Sequence, residues 1–407
     1  MKSDRLDDRL RNARHLIGAD PSGTDDQEKI PSRYLRLATT LGGEVIEDPA
    51  GMFCLVTTLY PVGHKLGHCS LPARSLRDTV KTASFTANEV EGEISLERLL
   101  FIDTETTGLG GTGALAFLIG CASVTAEGLE IRQYVLPDYA DEAAMLERVL
   151  GEFDADRTIA SYNGLAFDIN LIRDRMILNR VAREVPQAGH VDLLHVTRRL
   201  YRRRLRDCSL TNVEREIFGF HRTGDIPGYL IPSVYFDWLQ SDNTAELEAV
   251  MEHNRLDILT LYFLALHIDE VFSPEGDRLE HVDDRYSLAR VYGRRRQVDK
   301  VADELRDLEG TSGGALPDDV LLYHAGALKR LGEIESAVVL WQRLSEGKGR
   351  ESYEACIELA KHFEHKRRDP ERARLYCRQA HRIGPPSPAR RDELRHRLDR
   401  LDRKLTG

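Results

Sequence analysis

The amino-acid sequence predicts an α/β domain, with a mixed central sheet flanked by helices, followed by an all-α region of helical repeats. Strand-like apolar runs come first and then alternate with helical patterns, which is typical of a layered α/β domain. Past residue 277 the strand signal stops and only helical periodicity remains. We therefore expect a loose polar segment at 1–30, a small strand-containing region at 31–95, the α/β domain at 96–274 and the repeats at 280–407.

Composition limits the classes of protein that this chain can represent. The chain has 57 lysines and arginines against 67 aspartates and glutamates, so its formal net charge is −10. This balance argues against a protein that coats nucleic acid through bulk positive charge, although it permits a local basic track. No apolar run approaches the roughly 20 residues of a membrane span, and charged residues follow Met1. We expect a cytoplasmic protein with no membrane contact.

The region before the α/β domain has short apolar runs punctuated by glycine and proline. Alternation and β-branched residues predict strands there, in a small sheet packed on the α/β domain. The segment at 1–30 is polar and predicts a short helix with a loose remainder. Neither region offers residues to which we assign chemistry.

The chain is organised around an apolar run at 99–102 that ends in two acids, Asp103 and Glu105. Residues i and i+2 of a strand point to the same face, so both carboxylates project together. Clustered carboxylates suit Mg²⁺ or Mn²⁺, and a solvated acid pair at a strand end is the alternative. The glycine-rich stretch at 108–113 is interpreted as a turn, because a phosphate cradle would need a helix after it and an apolar strand follows.

A second acid, Asp168, follows the fourth strand of the domain. The sequence predicts strands at 99–103, 115–124 and 129–136, a helix at 141–153, a strand at 157–161 and a helix at 167–180. Asn163 and Gly164 form a tight turn that tolerates positive φ, and Asp168 then lies in the first turn of the helix. Phe167 is expected to anchor this turn in the core. Asp168 is either a helix cap or a third metal ligand beside Asp103.

A histidine and a fourth acid lie in a long helical pattern at 244–272. His253 and Asp257 are four residues apart and share one face of the helix. Asp257 can reach a metal, while histidine can take a proton from a metal-bound water. A purely structural role is the alternative, because this spacing is common in helices.

An arginine-rich track at 197–206 is the strongest local basic feature in this part of the chain. It places six arginines in nine positions, with a tyrosine and two leucines interleaved. Arginine sets of this kind hold phosphate backbones, so we predict nucleic-acid contacts for Arg202, Arg203 and Arg204. A solvated helix face is the alternative.

Small residues recur at a regular period in the C-terminal region. Ala289, Ala325 and Ala360 are followed 12, 12 and 13 residues later by Val301, Ala337 and Ala373. Such spacing is what helix pairs need in a tetratricopeptide-like stack. Arrays of this kind are usually docking surfaces, so a protein partner on the repeats is expected.

Taken together, three ordered motifs resemble those of the DEDD superfamily of ribonuclease-H-like nucleases: Asp103-x-Glu105, Asn163-Gly164-x-x-Phe167-Asp168 and His253-x-x-x-Asp257. The closer resemblance is to YprB-type ribonuclease-H-like proteins, on the stretches at 101–109, 116–120, 191–195 and 208–210. The resemblance covers about 96–272 and extends more weakly to both sides.

This resemblance implies a ribonuclease-H-like fold and metal-dependent hydrolysis of phosphodiester bonds in DNA or RNA, typically from a single-stranded 3′ end. It implies two Mg²⁺ or Mn²⁺ ions, and two ions could stabilise both the attacking and the leaving oxygen. The implied metal ligands are Asp103, Glu105, Asp168 and Asp257, and the catalytic set adds His253. Thr106 and Asn163, which lie within or beside these motifs, are candidate substrate-binding residues.

The last motif departs from the superfamily pattern. Members have a tyrosine four residues before the last aspartate or a histidine five before it, whereas His253 is a histidine at the tyrosine spacing. His253 could therefore orient water, act as a base or be catalytically silent. Asp192 is a spare acid that we interpret as structural or supporting. The alternative function is a non-catalytic nucleic-acid-binding or protein-adaptor module with a vestigial nuclease site.

Overall fold

The computed structural model describes residues 30–72, 78–86, 91–108, 113–154, 156–181, 185, 189–273, 276, 279–311 and 316–406. The polar segment predicted at 1–30 lies outside this set, apart from residue 30, as does most of the glycine-rich stretch at 109–112. The predicted fold class is confirmed: a mixed sheet flanked by helices is followed by a region in which every described element is a helix.

The strands of the described segments run as follows along the chain: β1 Glu44–Asp48, β2 Gly51–Pro61, β3 Lys65–Leu66, β4 Cys69–Ser70, β5 Thr79–Lys81, β6 Glu93–Ser95, β7 Leu99–Thr106, β8 Ala116–Val124, β9 Gly128–Val135, β10 Thr158–Ser161 and β11 Gly189–Asp192. The helices that accompany the sheet are α1 Ser32–Leu41, α2 Thr82–Phe85, α3 Glu142–Leu150, α4 Asp168–Leu178, α5 Leu193–Leu205, α6 Leu210–Val213, α7 Ile231–Ser241 and α8 Leu247–Val271. A π-helical turn at Glu214–Phe218 continues α6.

The central sheet has seven strands in the order β1-β2-β9-β8-β7-β10-β11. The five strands from β1 to β7 pair antiparallel, whereas β10 runs parallel to both β7 and β11. β7 therefore lies where the antiparallel and parallel parts meet. Its C-terminal end, which carries the first two acids, is flanked by the end of β10.

Two features of this sheet differ from the prediction. The first two N-terminal strands do not form a small separate sheet, because β2 pairs with β9 along its length, from Cys54 opposite Val135 to Pro61 opposite Gly128. For β1 and β2 the prediction was wrong, because alternation along a strand does not identify its partner. The remaining N-terminal strands do form small sheets, β3 with β4 and β5 with β6. β11 was not predicted at all, since four residues are too few to show a period.

Helices cover both faces of the sheet and enclose two cores. Ile102 of β7 belongs to the core beneath α1, α3, α4 and α7. Phe101 belongs to the opposite core, formed with α5 and the 25-residue helix α8. Because side chains alternate along a strand, each residue of β7 can be assigned to one of these two faces.

The C-terminal region follows as a stack of helices: α9 Val282–Arg294, α10 Val298–Thr311, α11 Asp318–Leu331, α12 Ile334–Ser345, α13 Arg350–His365, α14 Pro370–Ile383 and α15 Pro388–Thr406. The recurring small residues of the sequence pattern are all buried in its core. α9 packs against α5 and so attaches the stack to the sheet domain. None of the helices in the described segments has the length and apolarity that crossing a membrane requires.

Candidate active site

The carboxylates of Asp103 and Glu105 emerge at the end of β7 on the face covered by α8. Phe101 packs against this helix, and residues 103 and 105 continue the same alternation. Both acids therefore lie on one side of the sheet, as the strand spacing predicts. Thr104, between them, points to the opposite side.

Asp168 reaches the same strand end from the opposite face. It is the first residue of α4, which packs with Ile102 in the other core. The hydroxyl of Thr104 donates a hydrogen bond to the carboxylate of Asp168. One strand thus carries two acids on one face and, on the other, a hydroxyl that holds a third.

The turn that leads to Asp168 has the predicted backbone geometry. Asn163 has φ 69°, in the left-handed region, and its backbone N–H donates to the Asp192 carboxylate at 2.9 Å. Asp192 also caps α5, so it supports this turn from the next strand. The expectation for Phe167 was wrong: the residue is 56% exposed, because α4 starts outside the core and Ile169 is its first buried residue.

His253 and Asp257 share the face of α8 that looks toward Glu105. His253 Nε2 lies 3.7 Å from Asp257 Oδ2 and 4.0 Å from Glu105 Oε1. The other ring nitrogen, Nδ1, is 2.8 Å from Asp225 Oδ1. An Nδ1–H that donates to this carboxylate leaves Nε2 as an acceptor toward the acids.

Arg222 forms the centre of a buried ion-pair network beside these residues. Its side chain is only 4% exposed, and its two donors to Glu214 are 2.6 and 2.7 Å from the carboxylate oxygens. The same guanidinium donates to Asp257 and, at 3.2 Å, to Asp225. Thr260 of α8 adds a 2.5 Å hydrogen bond to Glu214. Arg222 therefore joins the loop that carries Asp225 to α8.

Asn254 fixes Asp103 from the neighbouring turn of α8. Its Nδ2 donates to Asp103 Oδ2 at 2.8 Å, and its Oδ1 accepts a 2.9 Å hydrogen bond from the fully buried Gln133. Gln133 also donates to the Met251 carbonyl at 2.8 Å. Gly120, which lies opposite Asp103 in the ladder, lets the helix approach: a Cβ there would lie 2.3 Å from Asn254 Oδ1.

The neighbouring acids of this site raise the pKa values of Asp103 and Glu105. Burial is the main cause that raises the pKa of Asp103 well above its ordinary range, and the charges of Asp257, Glu105 and Asp168 add to it. Burial and the charges of Asp257 and Asp168 likewise raise the pKa of Glu105, while Arg222 opposes the shift. Burial also raises the pKa of Asp168. Negative charge here is costly unless cations compensate it.

The donor chemistry of this cluster fits divalent cations, although the side chains do not form a closed cage. Four carboxylates from three separate segments lie close enough for their charges to interact. Their oxygens are hard donors, which Mg²⁺ and Mn²⁺ prefer. Among the described residues, no three side chains of the usual ligand types lie close enough together to enclose an ion. The cluster therefore has the negative charge that a metal centre needs, but its side chains are farther apart than the ligands of a formed centre.

The arginine track lies at the junction with the helical stack. Arg203 forms ion pairs with Asp283 at 2.6 Å and Asp319 at 2.5 Å, and Arg204 pairs with the buried Asp284 at 2.7 Å. Arg202 is exposed on the same helix. Phosphate binding by this track stays a prediction, as do substrate contacts by Thr106, whose hydroxyl donates to the Gly108 carbonyl at 2.8 Å, and by Asn163.

Comparison with known proteins identifies the family. A family model described as the RNase_H superfamily matches residues 100–268, the part of the chain that holds every site residue above. The chain is also 32% identical to "Uncharacterized protein YprB" of Bacillus subtilis (strain 168), over 87% of each chain. This chain belongs to the YprB family of the RNase H superfamily. The family carries a nuclease-type fold, which the mixed sheet and flanking helices of this chain display.

Several residues of this candidate site were not found by sequence reasoning. Arg222 and Asp225 lie in a loop without periodicity, so no pattern marks them. Asn254 carried a weak signal as a polar residue between His253 and Asp257. Gly120 carried a clearer one, because a glycine inside an apolar strand often marks a close approach of another element.

Proposed function

We propose that this chain is a divalent-metal-dependent nuclease that hydrolyses phosphodiester bonds. The form that we propose is a 3′-to-5′ exonuclease acting on a single-stranded end. The observation that carries the proposal is the set of four carboxylates at the end of β7, in which the charges of Asp168 and Asp257 raise the pKa values of Asp103 and Glu105. Such a cluster is unfavourable without cations, so its presence in the fold indicates a functional role. The fold of the family supports the same reaction class.

In this mechanism Asp103, Glu105, Asp168 and Asp257 would hold two Mg²⁺ or Mn²⁺ ions. When bound, such ions supply a nucleophile at neutral pH and neutralise charge on the scissile phosphate. His253 Nε2 accepts the proton of the attacking water, and Asp225 keeps that nitrogen facing the acids by accepting from Nδ1 at 2.8 Å. Arg222 binds the carboxylates of both Asp257 and Glu214 and so fixes the position of Asp257.

Incubation of the full chain with end-labelled single-stranded DNA and RNA in Mn²⁺ tests this proposal. We expect stepwise shortening from the 3′ end, and its loss in Asp103→Ala. The matched control is Asp237→Ala, the same change at an exposed position of α7, which should leave the reaction intact. Absence of metal-dependent cleavage of every substrate would contradict a nuclease.

A second candidate is a non-catalytic nucleic-acid-binding or adaptor module. It is favoured by one observation, the guanidinium of Arg222 that already pairs with Asp257. Titration calorimetry with Mn²⁺ separates the two. A working site gives a binding heat that Asp168→Asn/Asp257→Asn abolishes, whereas a vestigial site gives none in the unmodified chain.

A further inference from the structure

The last two helices of the chain differ in charge from the rest of the molecule. Between Lys366 and Thr406 the sequence has 14 lysines and arginines against 6 aspartates and glutamates, whereas the whole chain has 57 against 67. An acidic protein therefore ends in a strongly basic helix pair, α14 and α15. The two helices pack against each other as the end of the stack.

Some of these cations have a structural role inside the stack. The carboxylate of Glu364 on α13, whose side chain is fully buried, accepts from Arg397 at 2.7 Å, Arg400 at 2.8 Å and Lys404 at 2.9 Å. Arg390 pairs with Glu354 at 3.5 Å. These side chains lie on the inner face of α15 and attach it to α13.

Other cations form a strip on the outer side of the helix pair, which we call the basic strip: Arg378, Arg382, Arg391 and Arg395. Arg374, near the start of α14, pairs with Asp402, near the end of α15, at 2.6 Å, so the helices are antiparallel. Arg378 and Arg382 continue the row of Arg374 at intervals of four along α14. Arg391 and Arg395 stand four apart along α15, opposite the other end of α14. All four side chains are exposed.

Folding does not account for this strip. Like charges at i, i+4 destabilise a helix, and the strip contains two such pairs. Arg391 also lies in the first turn of α15, which has no acid, although the helix dipole disfavours a cation there. Within the described residues, Arg378, Arg382 and Arg391 have no ion-pair partner, and Arg395 has only an exposed contact with Asp392 at 4.0 Å.

We propose that the basic strip binds the phosphate backbone of nucleic acid and forms a second substrate contact outside the carboxylate site. This inference rests on the proposed function for the identity of the ligand. Exposed guanidiniums in a row match a polyanion with regularly spaced charges, because each can hold phosphate oxygens through two N–H donors. The rest of this acidic chain repels such a ligand, so a local basic surface is what capture of a strand requires.

Fluorescence anisotropy with a labelled single-stranded oligonucleotide of about 30 nucleotides tests the proposal, since four contacted phosphates need only a short part of it. All proteins carry Asp103→Ala and are kept in chelator, so cleavage and metal binding do not enter the result. The test variant is Arg378→Gln/Arg382→Gln/Arg391→Gln/Arg395→Gln. We expect affinity at low salt to fall by about tenfold or more, and the slope of log K against log salt to become shallower by about 3.

The matched control replaces four exposed cations elsewhere in the repeat region by glutamine, namely Arg294, Arg330, Lys348 and Arg350. The proposal is supported if this control binds the oligonucleotide as tightly as the Asp103→Ala protein and both variants have native circular dichroism. Equal losses in both variants, or an unchanged slope in the test variant, overturn it. Loss of binding to phosphatidylserine vesicles with nucleic-acid affinity unchanged would assign the strip to a lipid surface and also overturn it.

Discussion

At the scale of single residues, the pair of His253 and Asp225 decides how the histidine can act. The spacing of His253 left three roles open, and the sequence identified no residue that orients its ring. The 2.8 Å contact between Nδ1 and Asp225 orients the ring, so that Nε2 faces Glu105 and Asp257. An oriented acceptor nitrogen favours a role in proton transfer over a silent replacement.

We predict that Asp225→Ala and His253→Ala are not additive. Each single variant should lower kcat by about 10–100-fold, and the double variant should be no slower than His253→Ala, because Asp225 acts through the ring. Single-turnover rates of the three variants on one oligonucleotide measure this. Asp237→Ala serves as the unaffected control. Fully additive losses would mean that Asp225 works independently of His253.

The acids themselves could be predicted because their signals are local. Strand alternation places Asp103 beside Glu105, and helical spacing places His253 beside Asp257. Arg222 could not be predicted, since its partners Glu214 and Asp257 are 8 and 35 residues away and the loop has no period. Phe167 was wrongly placed in the core because apolar character alone does not tell a buried anchor from an exposed ring at a helix start.

At the scale of elements, the contact between β8 and α8 brings the third motif to the first. Gly120 faces the helix where Asn254 reaches Asp103, and a Cβ there would also lie 2.1 Å from Ile258 Cδ1. The position of α8, which carries two site residues, thus depends on the absence of a side chain at Gly120. The run ending in Gly120 was part of the family resemblance, and the structure supplies its physical reason.

Gly120→Ala should therefore damage stability and metal binding together. Overpacking at this contact is expected to cost about 1–3 kcal/mol and to move α8 away from β7. Urea unfolding and Mn²⁺ calorimetry on the same protein measure both effects. Gly326→Ala, in α11, is the control: its Cβ would meet open space, so stability should rise by up to about 1 kcal/mol with Mn²⁺ binding unchanged.

At the scale of the whole molecule, α5 attaches the helical stack to the sheet domain. The sequence predicted an arginine-rich helix but could not identify what it faces, because Asp283, Asp284 and Asp319 lie 80 to 116 residues later. Arg203 also stacks over the ring of Tyr286, with its guanidinium carbon 4.7 Å from the ring centroid. Of the three arginines predicted to bind phosphate, Arg203 and Arg204 are thus ion-paired, whereas Arg202 is exposed and has no ion pair within the described residues.

Substitutions within this track should separate these surroundings. Arg204→Gln leaves Asp284 buried without its partner and is expected to lower the free energy of unfolding by about 2–3 kcal/mol. Arg202→Gln should leave stability within about 0.5 kcal/mol and weaken binding to nucleic acid. Thermal unfolding and anisotropy titrations measure the two effects. If Arg202→Gln binds nucleic acid with unchanged affinity, the role of the arginine track is structural.

Attachment of the last helix should depend on pH through Glu364. The hydrogen bond from Arg400 is the main cause that lowers the pKa of Glu364 to about 2 from its ordinary 4.5, and Lys404 adds to it. Because this pKa is lower in the folded state than in the unfolded state, the Glu364 carboxylate stabilises the folded stack fully above about pH 4.5. This stabilisation is lost as the pH falls toward about 2.

Glu364→Gln is accordingly expected to lower the free energy of unfolding by about 3 kcal/mol at neutral pH, because three cations lose their common carboxylate. The difference from the unmodified chain should shrink steadily as the pH is lowered below about 4.5. Urea titrations at several pH values measure it. A constant difference across that range would show that the charge of Glu364 does not stabilise the stack.

The amides of Gln133 and Asn254 give the hydrogen bonds at Asp103 a fixed direction. Gln133 uses both hydrogens of its NH₂ group on the Met251 carbonyl and on Asn254 Oδ1. Asn254 is therefore left with only its own NH₂ to offer, and Asp103 Oδ2 must accept. Because this hydrogen bond occupies one lone pair of Oδ2, the other oxygen, Oδ1, is the freer of the two for a proton or cation. A buried amide two strands away in the sheet thus makes the two oxygens of Asp103 unequal.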